Sequence, residues 1–373
     1  MKATFIGIAV TLAAVSIAHA SDKVVSPDSN AIGYLPVCDV YGAGFFYIPG
    51  TQTCMQLSGY AWFEIGATND KNNGRFDPVT GRYAGDTGDY NFFPKGRTTF
   101  SSARVNLDVR SDTELGVLRS YARIQAESGS QYDGSVRLEQ GYIELGGFRA
   151  GRVESAWAET TNGVSSMGSH SWNGMWRGYQ FRQLMQYNYK NDGLFGTLSL
   201  EAPSQGGGGY MPDVVGLIGY EKDWGAVWMR SGYIAEYGDD LHGVGVSLGS
   251  QINVGSNGSS LRLIGFYADG DHLYGTGGPT WVAGGWGNAE WSLLGSYYQQ
   301  ITKTVGASVA VQYFEDFYQP NSTSKTNVDG WSAEVAAAWM PINNFEIRSE
   351  IQYDVVDGMD GVVSGYFRIT RAF

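Results

Sequence analysis

The C-terminal stretch of the chain, residues 345–373, alternates apolar and polar side chains with a period of two. Its apolar positions include Phe345, Ile347, Ile351, Tyr353, Val363, Phe367 and Ile369, and the polar positions between them include Glu346, Arg348, Glu350 and Arg368. This period predicts two β-strands, each with one apolar face, joined by a turn at residues 357–361. Such a hairpin suits either a soluble β-protein or the closing hairpin of an outer-membrane barrel.

The first residues carry the pattern of an export signal. Lys2 precedes a mostly apolar run over residues 5–17, and Ala18-His19-Ala20 matches a cleavage site. We therefore expect residues 1–20 to be a signal peptide, although a cytoplasmic N-terminal helix is the alternative. Residues 21–54 are then expected to form a periplasmic N-terminal segment, and residues 55–373 a barrel.

The composition narrows the class of protein further. Without Lys2, 24 basic residues oppose 37 acidic ones, which gives a net charge of −13. This argues against a nucleic-acid partner, because phosphates require a basic surface. The chain has 53 Gly, 24 Tyr and 11 Trp but only 10 Pro, which is typical of many long strands joined by turns. We find no convincing helical periodicity, so the sequence predicts a single all-β domain.

Cys38 and Cys54 are the two cysteines of the chain. An exported protein enters an oxidising compartment, so a disulfide between them is the favoured interpretation, and two free buried thiols are the alternative. A metal site at this pair is not expected, because no nearby His offers further ligands. We expect no cofactor.

The alternation of the C-terminal stretch recurs along the whole chain. Candidate strands cover residues 55–67, 98–110, 115–127, 136–146, 148–154, 180–190, 194–202, 213–221, 224–236, 242–254, 260–268, 287–300, 304–315, 330–340, 344–355 and 362–373. The phase of the alternation is weak in the strands near Val136, Phe148, Asp213 and Ser260. The sequence therefore predicts a transmembrane antiparallel β-barrel of about 16 strands, an even number as in single-chain outer-membrane barrels.

The lengths of the connections support a barrel that spans a membrane. Connections after even-numbered strands are short, as at residues 146–147, 191–193 and 222–223, whereas most of those after odd-numbered strands are longer. The predicted long connections are residues 68–97, 128–135, 155–179, 203–212, 269–286 and 316–329. A barrel with one periplasmic and one outer rim produces this sorting, whereas a β-sandwich has no reason to do so. In lipid the sheet must also close, because unpaired edges leave polar groups unsatisfied.

A barrel of this size is too wide for side chains to fill, so it encloses an aqueous lumen. The longest connection in the middle of the chain, residues 155–179, follows the fifth strand. We predict that this third outer loop folds into the lumen and narrows it, rather than remaining a flexible outer loop.

Strand parity nominates arginines for the constriction, and acids on the wall and on the predicted loop are their expected partners. The candidates are Arg104, Arg110, Arg119, Tyr121, Arg123, Glu154, Glu159 and Arg182, with Glu64 and Glu127 as further acidic partners. Basic residues that face acids across a constriction create a transverse field that orients polar solutes. Alternatively, some of these arginines only pair with neighbours on the same face of the sheet.

Residues 37–60, which begin Val37-Cys38-Asp39-Val40-Tyr41-Gly42 and include Leu57-Ser58-Gly59-Tyr60, resemble the N-terminal signature of the alphaproteobacterial porin family. Residues 148–155 also resemble the fifth strand of that family, and the terminal Phe373 fits as well. The resemblance implies a homotrimeric general diffusion porin of the outer membrane, with 16 strands and a third outer loop that forms the eyelet. It further implies lipid, lipopolysaccharide and small hydrophilic solutes as partners, and Phe373 as the assembly signal read by the barrel-assembly machinery.

Three other functional classes compete with a general porin. Residues 245–249 match the G-x-S-x-G pattern of hydrolases, but they lie within an alternating strand and no helix follows, so we do not expect an enzyme. A secreted β-sandwich adhesin or lectin is a second alternative. A substrate-specific, sugar-type channel is the third, because parity directs Tyr60, Trp62 and Tyr121 inward.

Overall fold

The structure is a computed structural model. It describes residues 36–69, 75–77, 82–84, 96–129, 132–158, 168–171, 181–203, 210–237, 241–276, 278–279 and 287–373. The predicted signal peptide, residues 1–20, lies outside these ranges. Within them, no helix has the length and apolar character needed to cross a membrane.

Nineteen strands and one short 3₁₀ helix (Asp39–Tyr41) are formed by the described residues. The strands are β1 (Phe46–Tyr47), β2 (Cys54–Thr68), β3 (Arg75–Asp77), β4 (Arg82–Ala84), β5 (Gly96–Thr113), β6 (Gly116–Gly129), β7 (Tyr132–Leu145), β8 (Phe148–Glu154), β9 (Phe181–Asn191), β10 (Leu194–Glu201), β11 (Asp213–Lys222), β12 (Gly225–Tyr237), β13 (Leu241–Val254), β14 (Ser259–Ala268), β15 (Ala289–Gln300), β16 (Val305–Phe317), β17 (Gly330–Ile342), β18 (Phe345–Val356) and β19 (Val362–Ala372). β2 and β5–β19 form a closed antiparallel barrel of 16 strands, which confirms the predicted fold class. β3 pairs with β4 in a separate hairpin.

The barrel closes where the final strand meets the first one. β19 runs antiparallel to β2, with Ile369 opposite Phe63 and Arg368 opposite Glu64. Phe373 and Gly59 then exchange two backbone hydrogen bonds, each with an N···O distance of 3.0 Å. The closure expected of a sheet in lipid is therefore confirmed, and the described barrel strands leave no open edge.

Side-chain burial alternates along the strands with the predicted period. In β16, for example, Val309 and Val311 are exposed at the outer surface of the barrel, whereas Ala310 and Gln312 are buried on the other face. We call these two orientations outward and inward. In the C-terminal hairpin Ile351 and Phe367 point outward, and Glu350 and Arg368 point inward, as the sequence predicts.

Turn chemistry explains the short connections. Between β9 and β10, Asp192 and Gly193 have φ values of 46° and 86°, the conformation of a tight two-residue hairpin turn. One predicted long connection is wrong, because β6 extends to Gly129 and β7 begins at Tyr132. Both strands are longer than their alternation indicated. Residues of the predicted loop 128–135 therefore pair with one another as parts of β6 and β7.

A β-bulge lies in β7. Arg123 of β6 is opposite Gln140, but the next residue, Ile124, is opposite Leu138, so Glu139 is inserted. As a result, the consecutive residues Glu139 and Gln140 are both buried. The bulge therefore adds an inward carboxylate, that of Glu139, and residues of β7 beyond it exchange their inward and outward positions.

The segment before the barrel is joined to the first strand by a disulfide between Cys38 and Cys54. The predicted disulfide is thus confirmed, and the alternative of two free thiols is wrong. Both cysteines are buried against Phe45, with Tyr41 and Tyr47 packed around them.

Candidate functional site

The third outer loop folds into the lumen, as predicted. After β8 the chain turns inward, and Ser155 and Trp157 are fully buried. The hydroxyl of Ser155 and the backbone N–H of Ala156 each donate to Oε1 of Glu201 on β10, at 3.0 Å. Nη1 of Arg230 on β12 donates to the carbonyl oxygen of Trp157 at 2.7 Å. The start of the loop is therefore fastened to the inner wall beyond its own strand.

The second described part of this loop, residues 168–171, reaches further around the barrel. Nη1 of Arg262 on β14 donates to the carbonyl oxygens of Gly168 and Ser169, at 2.8 and 3.0 Å. The hydroxyl of Ser169 donates to Oε1 of Glu334 on β17 at 2.9 Å. Charge-assisted bonds of this kind are the stronger hydrogen bonds in proteins, so these contacts hold the loop against the wall.

His170 is the central side chain of this anchor. Its Nδ1 lies 2.7 Å from Oγ of Ser296, its Nε2 lies 2.9 Å from Oγ of Ser260, and its ring stacks on Tyr298 at a centroid distance of 5.9 Å. Burial, together with the positive charge of Arg262, lowers the pKa of His170 to about 3. The ring is therefore neutral at physiological pH and accepts from one serine while it donates to the other.

A second loop also folds inward, which the sequence did not indicate. Tyr274, in the connection after β14, is fully buried, and its hydroxyl lies 3.3 Å from Oε2 of Glu201 and 3.1 Å from Oδ2 of Asp213. Its ring meets Trp157 edge-on at 5.9 Å. Burial, reinforced by the two carboxylates, raises the pKa of Tyr274, so the hydroxyl remains a donor. The two loops thus pack on one another.

Much of the inner wall beneath these loops is apolar. The buried cluster comprises Ala156, Trp157, Phe195, Val215, Leu217, Ala226, Trp228, Ile234, Ile264, Phe266, Tyr274, Leu294 and Ala310. Most of its members are inward residues of β10–β16, a position that parity alone would assign to water. Part of the lumen is therefore a packed protein interior rather than an aqueous space.

Arg182 belongs to this packed region. Its Nη2 lies 2.6 Å from Oδ2 of Asp213, and its Nε lies 3.6 Å from Oε2 of Glu201. Only 2% of the side chain is exposed. The two acids flank the guanidinium and also accept hydrogen bonds from the inward loops, so Arg182 supports the platform that holds both loops.

The contacts of the two inward loops fall on β10, β11, β12, β14, β15 and β17. We call the inward face of β18, β19, β2, β5, β6 and β7 the open wall. Its described charges form ion pairs within the wall. Nη2 of Arg104 lies 2.7 Å from Oε2 of Glu139, and Nη1 of Arg123 lies 3.7 Å from the same atom. The bulge in β7 therefore positions the acid that bridges two of the nominated arginines.

Arg110 and Arg119 share a second acid. Nη2 of each guanidinium binds Oδ2 of Asp108, at 2.8 and 2.7 Å respectively. Neither Asp108 nor Glu139 was nominated from the sequence, although the inward parity of Asp108 was visible in the alternation of β5. The position of Glu139 depends on the bulge, so parity could not have found it.

The two acidic partners nominated by parity also pair within the open wall. Oε2 of Glu64 lies 2.5 Å from Nη2 of Arg368, and Glu127 binds Arg137. The structure thus brings these acids beside basic residues on neighbouring strands. Pairing on the same face, which the sequence left open, is the arrangement observed for the described arginines of this wall.

Tyr121 lies on the open wall as parity indicated. Its ring stacks on Tyr142 at a centroid distance of 5.1 Å, and the guanidinium of Arg119 lies 5.0 Å from the same ring. Trp62 stacks with Arg368 in the same way, at 4.4 Å. Aromatic faces thus orient the guanidinium planes from beneath.

The two remaining candidates are placed differently. Glu154 ends β8 opposite Phe181, and its neighbour Val153 holds the inward position, so pairing assigns Glu154 to the outward row. It still interacts electrostatically with Arg123. Glu159 lies outside the described residues. The role of each candidate in permeation remains a prediction.

These features define the class of protein. A closed antiparallel barrel of 16 strands, with aromatic and aliphatic side chains outward and a loop folded into a partly polar lumen, is an outer-membrane channel. A family model described as "Porin subfamily" matches residues 22–366, and the chain belongs to that family. It is accordingly an outer-membrane porin, located in the bacterial outer membrane.

Individual relatives agree with this assignment. Porin Omp2b of Brucella suis is 29% identical, in an alignment that covers 93% of this chain and 99% of the relative. The outer membrane channel DcaP of Acinetobacter baumannii has a TM-score of 0.63 at 13% identity, covering 88% of this chain and 99% of that one. OmpT of Vibrio cholerae, in a trimer form, has a TM-score of 0.55 at 9% identity, with coverages of 87% and 100%. At these identities the two structures show similarity of fold alone.

Proposed function

We propose that small hydrophilic solutes and ions cross this porin by passive diffusion along the open wall. The observation that carries the proposal is the anchoring of the third outer loop. Both of its described parts bind strands outside the open wall, through Glu201, Arg230, Arg262 and Glu334. The ion pairs of the open wall then border the remaining aqueous path, where fixed charges act on permeating solutes.

We further propose that the channel discriminates weakly between anions and cations. Each described arginine of the open wall has a carboxylate partner within 4.0 Å. A permeating ion therefore meets alternating charges of both signs rather than a surface of one sign. Polar solutes would align their dipoles with these pairs as they pass.

Conductance across planar bilayers tests the proposal. We expect Arg119→Gln and Arg123→Gln each to raise the cation-to-anion permeability ratio, measured as the reversal potential in a salt gradient, by about twofold. Arg371→Gln is the matched control, because Arg371 points outward and bonds the carbonyl oxygens of Asn343 and Asn344. If neither open-wall variant differs from the control, solutes do not follow this wall.

A sugar-type channel is the second candidate. The observation that favours it is the row of rings on the open wall, in which Tyr121 stacks on Tyr142 and Trp62 contacts Phe100 at a centroid distance of 5.0 Å. Aromatic faces of this kind bind the apolar faces of sugars. Concentration-dependent block of the ion current by oligosaccharides, abolished in Tyr121→Ala, would favour this candidate, whereas unblocked current favours general diffusion.

We also propose a homotrimer as the working unit. Tyr or Trp side chains point outward on β9, β11, β12 and β14–β18, many of them near strand ends, where they suit the lipid headgroup region. In contrast, the described outward side chains of β2 and β5–β8 include neither Tyr nor Trp. Small and polar side chains lie among the large apolar ones of this surface, and include Ala103, Ser120, Arg152 and Glu154.

Lipid is an unfavourable environment for the charged side chains of this surface. An arginine that faces lipid near the bilayer midplane costs about 2–4 kcal/mol, so Arg152 needs protein cover. A groove of about 620 Å³, lined by Ala61, Ser101, Ala103 and Ala126 among others, lies on the same side and can accept side chains of a second copy. We expect lipid and lipopolysaccharide to surround the aromatic remainder.

Filling this groove tests the trimer face. Ala103→Trp would occupy the groove and is expected to lower the yield of detergent-resistant trimers several-fold. Leu263→Trp places the same side chain outward on β14, within the lipid-facing region, and should leave that yield unchanged. Equal trimer yields from both variants would place the subunit contact elsewhere.

A further inference from the structure

A short segment of the chain occupies the inner side of the barrel at the end where the first strand begins. We call residues 38–47 the latch. It begins at Cys38, includes the 3₁₀ turn Asp39–Tyr41, and ends with β1, which pairs with Cys54 and Met55 of β2. β19 and the terminal Phe373 pair with β2 only from Gly59 onward, so the latch takes the edge of β2 that the final strand leaves free. The disulfide fixes it there.

The latch contacts inward side chains. Nε2 of Gln56, an inward residue of β2, donates to the carbonyl oxygen of Ala43 at 3.0 Å. The hydroxyl of Tyr41 donates to Oδ1 of Asp112 at 2.8 Å. Asp112 and Arg110 share the inward parity of β5, and the turn that follows β5 is one of the short connections of the periplasmic rim. The latch therefore lies at the periplasmic mouth, on the lumen side.

The aromatic rings of the latch hold one particular guanidinium. The Cζ of Arg110 lies 5.1 Å from the ring centroid of Phe45 and 5.8 Å from that of Tyr41. Both distances allow a cation–π attraction. Burial and the hydrogen bond to Asp112 raise the pKa of Tyr41 to about 12, so this contact persists at physiological pH.

Arg110 in turn is joined to the selectivity residues above it. Its guanidinium binds Asp108 through two hydrogen bonds, at 2.9 and 2.8 Å. Asp108 binds Arg119 through two more, at 3.0 and 2.7 Å. A continuous series of contacts thus connects the latch with the open wall, by way of Arg110 and Asp108.

We propose that the disulfide-bonded latch is a second selectivity element of the channel, which positions Arg110 and, through Asp108, Arg119 at the periplasmic mouth. The inference rests on the proposed role of the open wall in permeation. The disulfide limits the conformations open to residues 38–54, and the rings of Tyr41 and Phe45 then fix one orientation of the Arg110 side chain. Permeating anions would meet that guanidinium at the periplasmic exit.

The test measures reversal potential in a salt gradient for the full-length channel in planar bilayers. One variant, Tyr41→Ala/Phe45→Ala, keeps the disulfide but removes both rings, and a second, Cys38→Ser/Cys54→Ser, removes the disulfide. We expect each to raise the cation-to-anion permeability ratio by about twofold, because Arg110 is then free to leave the mouth. Val40→Ala is the control, since Val40 lies in the same turn but is 68% exposed.

Combining the latch variants with Arg110→Gln tests whether the latch acts by positioning Arg110 or has only a structural role. If the latch acts through Arg110, the ring and cysteine variants should cause no further shift in an Arg110→Gln background. The same shift in both backgrounds, or unchanged selectivity in well-formed channels, would overturn the inference. If the cysteine variant fails to assemble, the ring variant alone decides.

Arg123→Gln distinguishes this inference from the proposed function. Arg123 lies on the open wall but outside the contacts that join the latch to Arg119. A shift with Arg123→Gln and none with the latch variants contradicts the latch alone. No shift with either Arg119→Gln or Arg123→Gln contradicts the open wall as the path, and with it the basis of the inference.

Discussion

Arg110 and Arg119 lie directly opposite each other on β5 and β6 and bind the same carboxylate. Oδ1 of Asp108 accepts from Nε of both arginines, at 2.9 and 3.0 Å, and Oδ2 accepts from Nη2 of both, at 2.8 and 2.7 Å. Like charges directly opposite on a sheet destabilise it, so the shared acid is what permits this pair. The triad carries one net positive charge.

Replacing Asp108 should therefore change both the net charge of the open wall and the stability of the folded channel. We expect Asp108→Asn to lower the cation-to-anion permeability ratio and to destabilise the folded channel by about 1–3 kcal/mol, because two guanidinium groups lose their partner. Reversal potential and the urea midpoint of unfolding are the measurements. Asp223→Asn, at an exposed turn, is the control. Unchanged selectivity would mean that the triad is remote from the permeating ions.

The anchor of the third loop can be weakened from the wall. Arg262→Met removes the donors to the carbonyl oxygens of Gly168 and Ser169, so the loop should move away from β14 more often. We expect noisier single-channel currents and an altered unit conductance. Arg371→Met, which also removes an arginine but from the outward face, should leave both quantities unchanged. Identical recordings would show that the other anchors suffice.

The same anchor should weaken in acid. A loop free in water carries His170 with a pKa of 6.5, whereas in the anchored loop that pKa is about 3. Between these values the freed loop binds a proton that the anchored loop does not. Anchoring is therefore complete above about pH 6.5 and weakens as pH falls towards 3, by up to about 1.4 kcal/mol per pH unit.

Current noise recorded between pH 7 and pH 4 measures this effect. His170→Gln should abolish the rise in noise that acid produces in the unaltered channel. Glu334 accepts a hydrogen bond from the hydroxyl of Ser169 and is a second acid-base group at this anchor. The Glu334→Gln channel should still become noisier in acid. If it does not, the pH response belongs to Glu334 instead.

The second inward loop depends on a close approach to glycine. A Cβ at Gly245 would lie 1.6 Å from the carbonyl oxygen of Tyr274, so Gly245→Ala should displace this loop from the wall. We expect a larger unit conductance and a lower thermal stability of the folded channel. Gly265→Ala is the matched control, because no heavy atom lies within 4 Å of a Cβ there. Equal behaviour of the two variants would contradict the packing of Tyr274.

The terminal residue should matter for assembly more than for conductance. Phe373 exchanges backbone hydrogen bonds with Gly59 and so completes the closing seam. Deletion of Phe373 is expected to reduce the yield of folded trimer in the outer membrane while the unit conductance of the channels that form stays normal. Phe373→Tyr, which keeps the ring and the backbone, should assemble. A normal yield from the deletion would remove the assembly role.

Strand parity was sufficient to predict the barrel, because alternation is a local property of the sequence. The period of two places every second side chain of a strand on one face, and it needs only neighbours in sequence to be visible. Ile351 outward and Glu350 inward follow from that rule, as do Tyr121 and the inward arginines of β5 and β6. The disulfide was accessible for a similar reason, since two cysteines in an exported chain leave one pairing.

The tertiary structure explains why the alternation of apolar and polar residues was weak in some strands. The inserted Glu139 reverses the alternation of β7, and a bulge depends on pairing with β6 rather than on the residues of β7 alone. In β11 and β14, inward Val215 and Ile264 are apolar because they pack beneath the inward loops. Strands apolar on both faces lose their alternation.

The sequence alone determined that this chain is a closed barrel with a periplasmic and an outer rim, because alternation and loop length depend only on residues that are consecutive in the sequence. The tertiary structure decided which charges meet and where the loops rest. Arg368 binds Glu64, and Tyr274 donates to Asp213, only after segments distant in sequence are brought together. These contacts depend on register, a bulge and loop paths, none of which has a signature in the local sequence.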